Sequence, residues 1–273
     1  MDRGVQSHYA GPGDLARRIR DSLVAAGTDM ERLATTDLAP VDEFHIRGRE
    51  ATLELAACME LCADATVLDL GSGMGGPART VAEVHGCSVT GVDLTPAFCD
   101  AANAMSDWVG LSDRVRFVHG DATAPPVESA TFDAAMTIHA AMNIPDKPAL
   151  YAGARDALKP GRIFAVYDVL QGDGGPVHFP VPWAREPSIS HLATPADMRD
   201  LLVEAGFTIL QEADSTAVSL AWFEAMVDRM AQSGAPPATF QTFLGEDFPQ
   251  MVRNQVRNLA EDRIRTVAFI CRA

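Results

Sequence analysis

Three carboxylates in the first half of the chain each stand at the end of a short apolar run. Asp69 lies in the run 67–70 and precedes the turn Gly71-Ser72-Gly73-Met74-Gly75. Asp93 ends the run 88–92, twenty positions after Gly73. Asp121 follows 115–118, with Gly120 before it. An apolar run that stops at an acid and a glycine reads as a strand whose carboxyl end meets a ligand. Gly71, Gly73 and Gly75 can take positive φ, and they remove Cβ atoms that would block a flat ligand. Asp93 is expected over the first turn, where it can accept both hydroxyls of a ribose. Asp69 in the turn would repel a pyrophosphate but suits an amino group, directly or through water. Asp121 is placed to accept from an adenine exocyclic amine. Together the acids fit an adenosine with an amino acid tail better than a dinucleotide, although Gly76 gives a formal third-glycine match to G-x-G-x-x-G. The alternative, that the acids only cap turns or helices, does not account for their shared place at strand ends.

The elements that must position these acids alternate regularly. Helix 49–63 precedes strand 67–70. Helix 77–85, strand 88–92, helix 96–109 and strand 115–118 follow, then strand 132–138 after the Pro125-Pro126 loop. Helix 147–158 closes at Lys159-Pro160-Gly161 and feeds strand 162–169. Helix 195–205 is expected to use Thr194 as N-cap, and strand 207–212 comes next. Helices 220–232 and 239–259 and a last strand, 263–271, complete the pattern. This alternation predicts an α/β fold with a doubly wound, mostly parallel, seven-stranded sheet. Residues 1–46 read as an N-terminal helical lid, with Asp14 capping helix 14–26 and 35–40 as loop; residues 47–273 read as the main domain. The stretch 171–193 interrupts the alternation after the fifth strand. It is too long for an ordinary connection and falls at the end of the sheet that carries the acids, so it is expected to be functional.

Composition excludes several partners. Of 273 residues, 47% are hydrophobic, enough for a full core, and the net charge is −15 from 22 Lys+Arg against 37 Asp+Glu. Phosphate backbones and anionic lipid surfaces would be repelled, so neither nucleic acid nor membrane is expected as partner. Cys58 and Cys62 are one helical turn apart, but no His or Cys cluster completes a zinc set, and no metal is expected. No signal peptide or spanning run is visible, and a cytoplasmic location is expected.

Several segments resemble a known family. They are 42–50 (Asp-Glu-Phe-His-Ile-Arg-Gly-Arg-Glu), the turn 67–76, Gly91-Val92-Asp93-Leu94, 117–121 (Phe-Val-His-Gly-Asp), 138–144 (Ile-His-Ala-Ala-Met-Asn-Ile), Leu158-Lys159-Pro160-Gly161 and 179–184 (Phe-Pro-Val-Pro-Trp-Ala). The chain resembles class I S-adenosylmethionine-dependent methyltransferases, nearest the small-molecule group that includes sarcosine/dimethylglycine N-methyltransferases. The resemblance covers about 40–210 closely and implies S-adenosylmethionine held by Asp69, Gly71, Ser72, Gly73, Asp93, Leu94, Asp121, Ala122 and His139. The acceptor is then a small molecule, with an amine nitrogen expected first. O- or C-methylation of a natural product, non-methylating cyclase chemistry and an NAD-dependent oxidoreductase are the alternatives. His139, directly after the fourth strand, is the expected catalytic base or acceptor-orienting group, unless it only holds its loop. Asn143 is expected to bind the acceptor or close the turn. Within the insertion His178, Trp183 and Arg185 are expected on the substrate: Trp183 can face a cationic amine or fill the lid, and Arg185 can take a carboxylate or stay solvated. Tyr9 and His45 are expected over the cofactor. Arg49 reaches its carboxylate or caps a helix, and Leu220, Phe223 and Val227 read as core.

Overall fold

Apolar runs bounded by glycine, proline and acid become strands here because the central ones can be buried on both faces by flanking helices, while the edge run 208–214 stays largely exposed. The computed structural model describes residues 14–233 and 239–273; Tyr9 and the side chain of Val227 lie outside the described residues. In chain order the elements are α1 Leu15–Ala25, α2 Thr35–Asp42, α3 Gly48–Ala56, β1 Thr66–Leu70, α4 Gly76–His85, β2 Ser88–Asp93, α5 Pro96–Trp108 and β3 Val115–His119. Next come β4 Phe132–Ile138, α6 Lys147–Ala157, β5 Leu158–Gln171, α7 Pro195–Glu204 and β6 Thr208–Asp214. Then follow α8 Thr216–Ser233, α9 Gln241–Leu244, α10 Phe248–Ala260 and β7 Ile264–Arg272.

The seven strands form one sheet in the order β3-β2-β1-β4-β5-β7-β6. β1 to β5 pair in parallel, and β7 runs antiparallel between β5 and β6. The strand order reverses at β1, which has β2 on one side and β4 on the other. At such a switch point the connections leave in opposite directions and open a crevice at the carboxyl ends of the strands. One core layer packs α3, α4 and α5 against Val67, Val89, Ala134, Met136 and Ala165. The opposite layer packs α6 and α7 against Leu68, Ala135, Phe164 and Val166. Among the described residues, no helix is long and apolar enough to cross a membrane.

Four expectations change in detail. Residues 35–40 are not a loop but part of α2. The Asp37 carboxylate accepts the Ala34 N–H at 2.9 Å and so caps the helix from inside. Pro40 removes one helical hydrogen bond, while Leu38 and Val41 are buried on this helix. Helix α3 stops at Ala56, well before residue 63. The long C-terminal helix is two, α9 and α10, broken at Gly245 with φ 78°. β5 is longer at both ends than 162–169, and β7 pairs with it from Ile163 to Gln171. Asp14 and Thr194 cap α1 and α7 as expected, and Leu220 and Phe223 join an apolar cluster with Trp183.

Candidate functional site

A cleft of about 350 Å³ opens at the switch point. Its floor is the turn after β1, where Gly71, Gly73 and Gly75 have φ 77°, 54° and 80°. These glycines differ in purpose. A Cβ on Gly71 would lie 2.3 Å from Ala140 Cβ, so Gly71 lets the β1 and β4 exits touch. A Cβ on Gly73, which lines the cleft, would meet nothing within 4 Å. Gly73 is therefore the glycine that keeps space for a ligand.

The strand-end acids gather around this floor. Asp69, Asp93 and Asp121 all line the cleft, with Ser72, Leu94 and Ala122 between them. Asp93 holds the turn: one oxygen accepts the Gly73 N–H and the other the Thr95 N–H, both at 2.8 Å. The Thr95 side chain adds a third hydrogen bond to this carboxylate. Asp121 takes the backbone N–H and hydroxyl of Thr123 on a single oxygen, at 2.9 and 2.7 Å. Asp69 is 1% exposed, and burial, with Asp93 and Glu43 adding repulsion, raises its carboxyl to about 8. Asp69 Oδ2 and Ser72 Oγ are buried with no hydrogen-bond partner. Buried polar atoms in folded proteins are rarely left this way, and four side chains of the cleft lining, Asp42, Asp69, Ser72 and His139, each hold such an atom.

The facing wall comes from residues 42–52, to which no position except His45 and Arg49 had been given a role from sequence. Asp42 forms a buried ion pair with Arg79 at 2.7 Å, and burial raises its carboxyl to about 6 even against that guanidinium. Glu43 accepts from Thr80 and Thr52 at 2.5 and 2.7 Å. These bonds lash the segment to α4 and carry Phe44 and His45 into the cleft lining. His45 binds Gly48 O through Nε2 at 2.9 Å, and burial lowers it to about 4, so it is neutral. Arg49 neither reaches the cleft lining nor caps a helix: its guanidinium donates to Thr80 Oγ1 at 2.6 Å and Glu83 at 2.7 Å.

His139 lines the cleft at the end of β4, with φ 46°. A non-glycine residue there is uncommon, and it turns the ring off the strand line. The ring lies 4.9 Å from Tyr167 and 5.8 Å from His45. Burial lowers it well below its ordinary value, with His45 contributing. The Ile46 N–H donates to Nδ1 at 3.4 Å, a long contact. In the neutral ring the proton then sits on Nε2, and Nε2 has no partner. In this state His139 offers a donor rather than a basic lone pair.

Of the other expected substrate residues, the structure brings Asn143 to the cleft lining but not His178, Trp183 or Arg185. His178 bonds Glu261 at 2.9 Å, and Asn258 on α10 pairs with its backbone. Trp183 is 1% exposed and donates to Ser190 Oγ at 3.0 Å. Arg185 pairs with Asp247 and donates to Leu244 O at 2.9 Å. Asn143 does line the cleft, but its side-chain N–H groups go to the carbonyls of Trp183 and Ile189, at 2.8 and 2.9 Å. Lys147 adds a tether, donating to Ile144 O at 2.9 Å and to His191 O, and the His191 N–H binds Met142 O at 2.7 Å. Among the described residues, no part of 171–193 lines the cleft. The insertion stands behind the His139–Asn143 loop and braces it. Among the described residues, no group of His, Cys, Asp or Glu is arranged to hold a metal ion.

Comparison with known proteins agrees with this geometry. The family described as "Methyltransferase domain" matches residues 67–161, from β1 into β5. Over 107 residues the chain is 39% identical to the sterol 24-C-methyltransferase ERG6B of Gibberella zeae, covering 39% of this chain and 28% of that protein. The chain spans about half the length of such curated relatives, or less. Among solved structures, geranyl diphosphate C-methyltransferase from Streptomyces coelicolor A3(2) aligns with a TM-score of 0.66 at 16% identity, over 82% of this chain and 75% of that one. The cyclase SpnF aligns with a TM-score of 0.65 at 22% identity, over 95% and 93%. At these identities the likeness is one of fold.

Proposed function

We propose that this chain, a member of the class I S-adenosylmethionine-dependent methyltransferases, moves a methyl group from S-adenosylmethionine to a small organic acceptor. The observation that carries the reading is the orphaned pair Asp69 Oδ2 and Ser72 Oγ beside the open Cα face of Gly73. A ligand with a cationic tail satisfies Asp69 and stabilises its ionised form. A pyrophosphate would meet Asp69 and Asp93, and among the described residues no lysine or arginine lines the cleft. That argues against a dinucleotide and hence against an NAD-dependent oxidoreductase.

The residues that would hold the cofactor are Asp69, Gly71, Ser72, Gly73, Asp93, Leu94, Asp121 and Ala122, all of which line the cleft. When bound, S-adenosylmethionine supplies an electrophilic methyl group on a sulfonium. The protein's own part is positioning and the exclusion of water. Asp93 holds Gly73 and lines the cleft where a ribose diol would lie. Phe44 and His45 cover the cleft from the 42–52 wall. His139 presents its Nε2–H to orient the acceptor, which favours the orienting role over that of a base. The sterol C-methyltransferases among the relatives support a carbon acceptor; an amine nitrogen is supported by likeness of fold to a phosphoethanolamine N-methyltransferase and a sarcosine dimethylglycine methyltransferase.

Calorimetry with S-adenosylmethionine, S-adenosylhomocysteine and NAD tests the cofactor. The first two are expected to bind; binding of NAD alone would refute the reading. A second reading, the same fold used for ring closure without methyl transfer, is supported by the likeness to SpnF. Product formation without release of S-adenosylhomocysteine would favour it.

A further inference from the structure

Beyond the three strand-end acids the cleft lining has a distinctive charge inventory. Phe44, Ile138, Ile144 and Pro145 make its walls apolar. Its remaining ionisable groups are Asp42, Asp146, His45 and His139. Both rings are neutral, as argued above. Asp42 is paired with Arg79. Asp146 uses one oxygen to cap α6 at the Ala149 N–H, 3.0 Å away. No lysine or arginine lines the cleft among the described residues. The nearby cations are bound elsewhere: Arg79 to Asp42, Arg49 to Thr80 and Glu83, Arg47 to Glu54, and Lys147 to the carbonyls of Ile144 and His191.

We propose that the acceptor carries no anionic group inside the cleft: it is an uncharged, largely apolar molecule, and phosphorylated, sulfated or carboxylated acceptors are excluded. This rests on the methyl-transfer reading above. An anion entering the cleft would lose its hydration with no free counter-ion to replace it, and it would meet the carboxylate of Asp146 as well as the strand-end acids. The cofactor escapes this argument because it brings a sulfonium and an ammonium against its single carboxylate. An amine is admitted as its free base, the form that reacts. The exclusion is a property of this wall rather than of the fold, because any cation placed on the 138–146 loop would lift it.

The test is binding to the protein loaded with S-adenosylhomocysteine, so that turnover is not needed. Two matched pairs serve as probes: a prenyl alcohol with its monophosphate, and a sterol with its sulfate. The neutral member of a pair that binds is expected to bind at least about tenfold more tightly than the anionic one, with the gap narrowing as salt is added. Ile144→Lys, which places a cation in the lining, is expected to narrow or reverse the preference. An anionic member binding as tightly as its neutral partner overturns the proposal. So does failure of both neutral probes to bind while S-adenosylhomocysteine is retained. Failure of S-adenosylhomocysteine itself to bind would refute the cofactor reading instead, and the two failures are thereby told apart.

Discussion

The exits of β1 and β5 lie on the same edge of the sheet, and both are rich in glycine or proline, yet their polar groups end in opposite states. After β1, Asp69 Oδ2 and Ser72 Oγ are buried and unpaired, and Gly73 faces open space. After β5, the loop closes on itself through the Gln171 N–H to Ala193 O at 2.8 Å. Its carbonyls are taken up by Asn143, Lys147, Asn254 and Asn258, with His191 Nε2 the one buried side-chain atom of the loop left unpaired. On the proposed reading, folding completes the second exit and leaves the first for a ligand. Length and composition mark both loops as functional, but only the balance of satisfied and unsatisfied groups separates a binding surface from the brace behind it.

The sharpest way to break this comparison is Asp93→Ala. Asp93 holds the Gly73 and Thr95 amides and, in the proposed site, accepts the ribose. Its removal is expected to raise the dissociation constant for S-adenosylhomocysteine by on the order of 100-fold or more, from about 3 kcal/mol of lost hydrogen bonding to a charged group. Calorimetry reads this directly, and unchanged affinity would take the β1 exit out of the site.

Asn143→Ala probes the brace. It strands the carbonyls of Trp183 and Ile189, both tied to this amide in the interior, and is expected to cost about 2 kcal/mol of stability in denaturant unfolding. Cofactor affinity should stay within about threefold of the parent, because the variant leaves the turn intact. Equal damage to cofactor binding and stability would show that the two exits are not separable.

How far these roles can be read from sequence depends on distance along the chain. An apolar run ending in an acid and glycines is a local pattern, so the strand ends and Asp69, Asp93 and Asp121 are legible without a structure. The Asp42–Arg79 pair is not, because its partners stand 37 residues apart and only the packing of α2 on α4 joins them. Helix α2 is hidden by Pro40 and by a cap that comes from Asp37 rather than from the residue at the cap position. The insertion is visible as an interruption, but the direction its side chains face is set by α10 and the β4–α6 loop, which the local sequence does not encode. His178, Trp183 and Arg185 are chemically suitable for a substrate and structurally committed to neighbours.

An effect of opposite sign comes from Asp69→Asn. The folded-state carboxyl sits at about 8 against an ordinary value of 3.8, so between those values the folded protein binds more protons than the unfolded chain. Stability of the ligand-free protein therefore falls as pH rises through this window. Asparagine cannot ionise, so the variant is expected to unfold at a higher temperature than the parent. The advantage should be present at pH 5 and grow towards pH 8 by up to about 1.4 kcal/mol for each pH unit, while cofactor affinity drops. Thermal unfolding at the two pH values checks the sign. A parent that gains on the variant as pH rises would mean that Asp69 is already paired without a ligand.

The smallest expected effect bears most directly on how the β5 exit is interpreted. Arg185 is the residue of the insertion best suited, by chemistry alone, to grip a substrate carboxylate. In the structure its guanidinium is half-exposed, pairs with the more exposed Asp247 and donates to Leu244 O. An ion pair in such a setting contributes from nothing to about 1 kcal/mol, since water and salt screen it. Arg185→Ala is therefore expected to lower stability by less than about 1 kcal/mol, and to leave both cofactor affinity and the acceptor KM unchanged. The acceptor KM is the deciding measurement, because a brace and a substrate clamp differ there and nowhere else. A tenfold rise in KM with stability preserved would move Arg185 into the site. It would also supply the cation that the uncharged-acceptor proposal requires to be absent, so one variant tests the role of the insertion and the chemistry of the acceptor together.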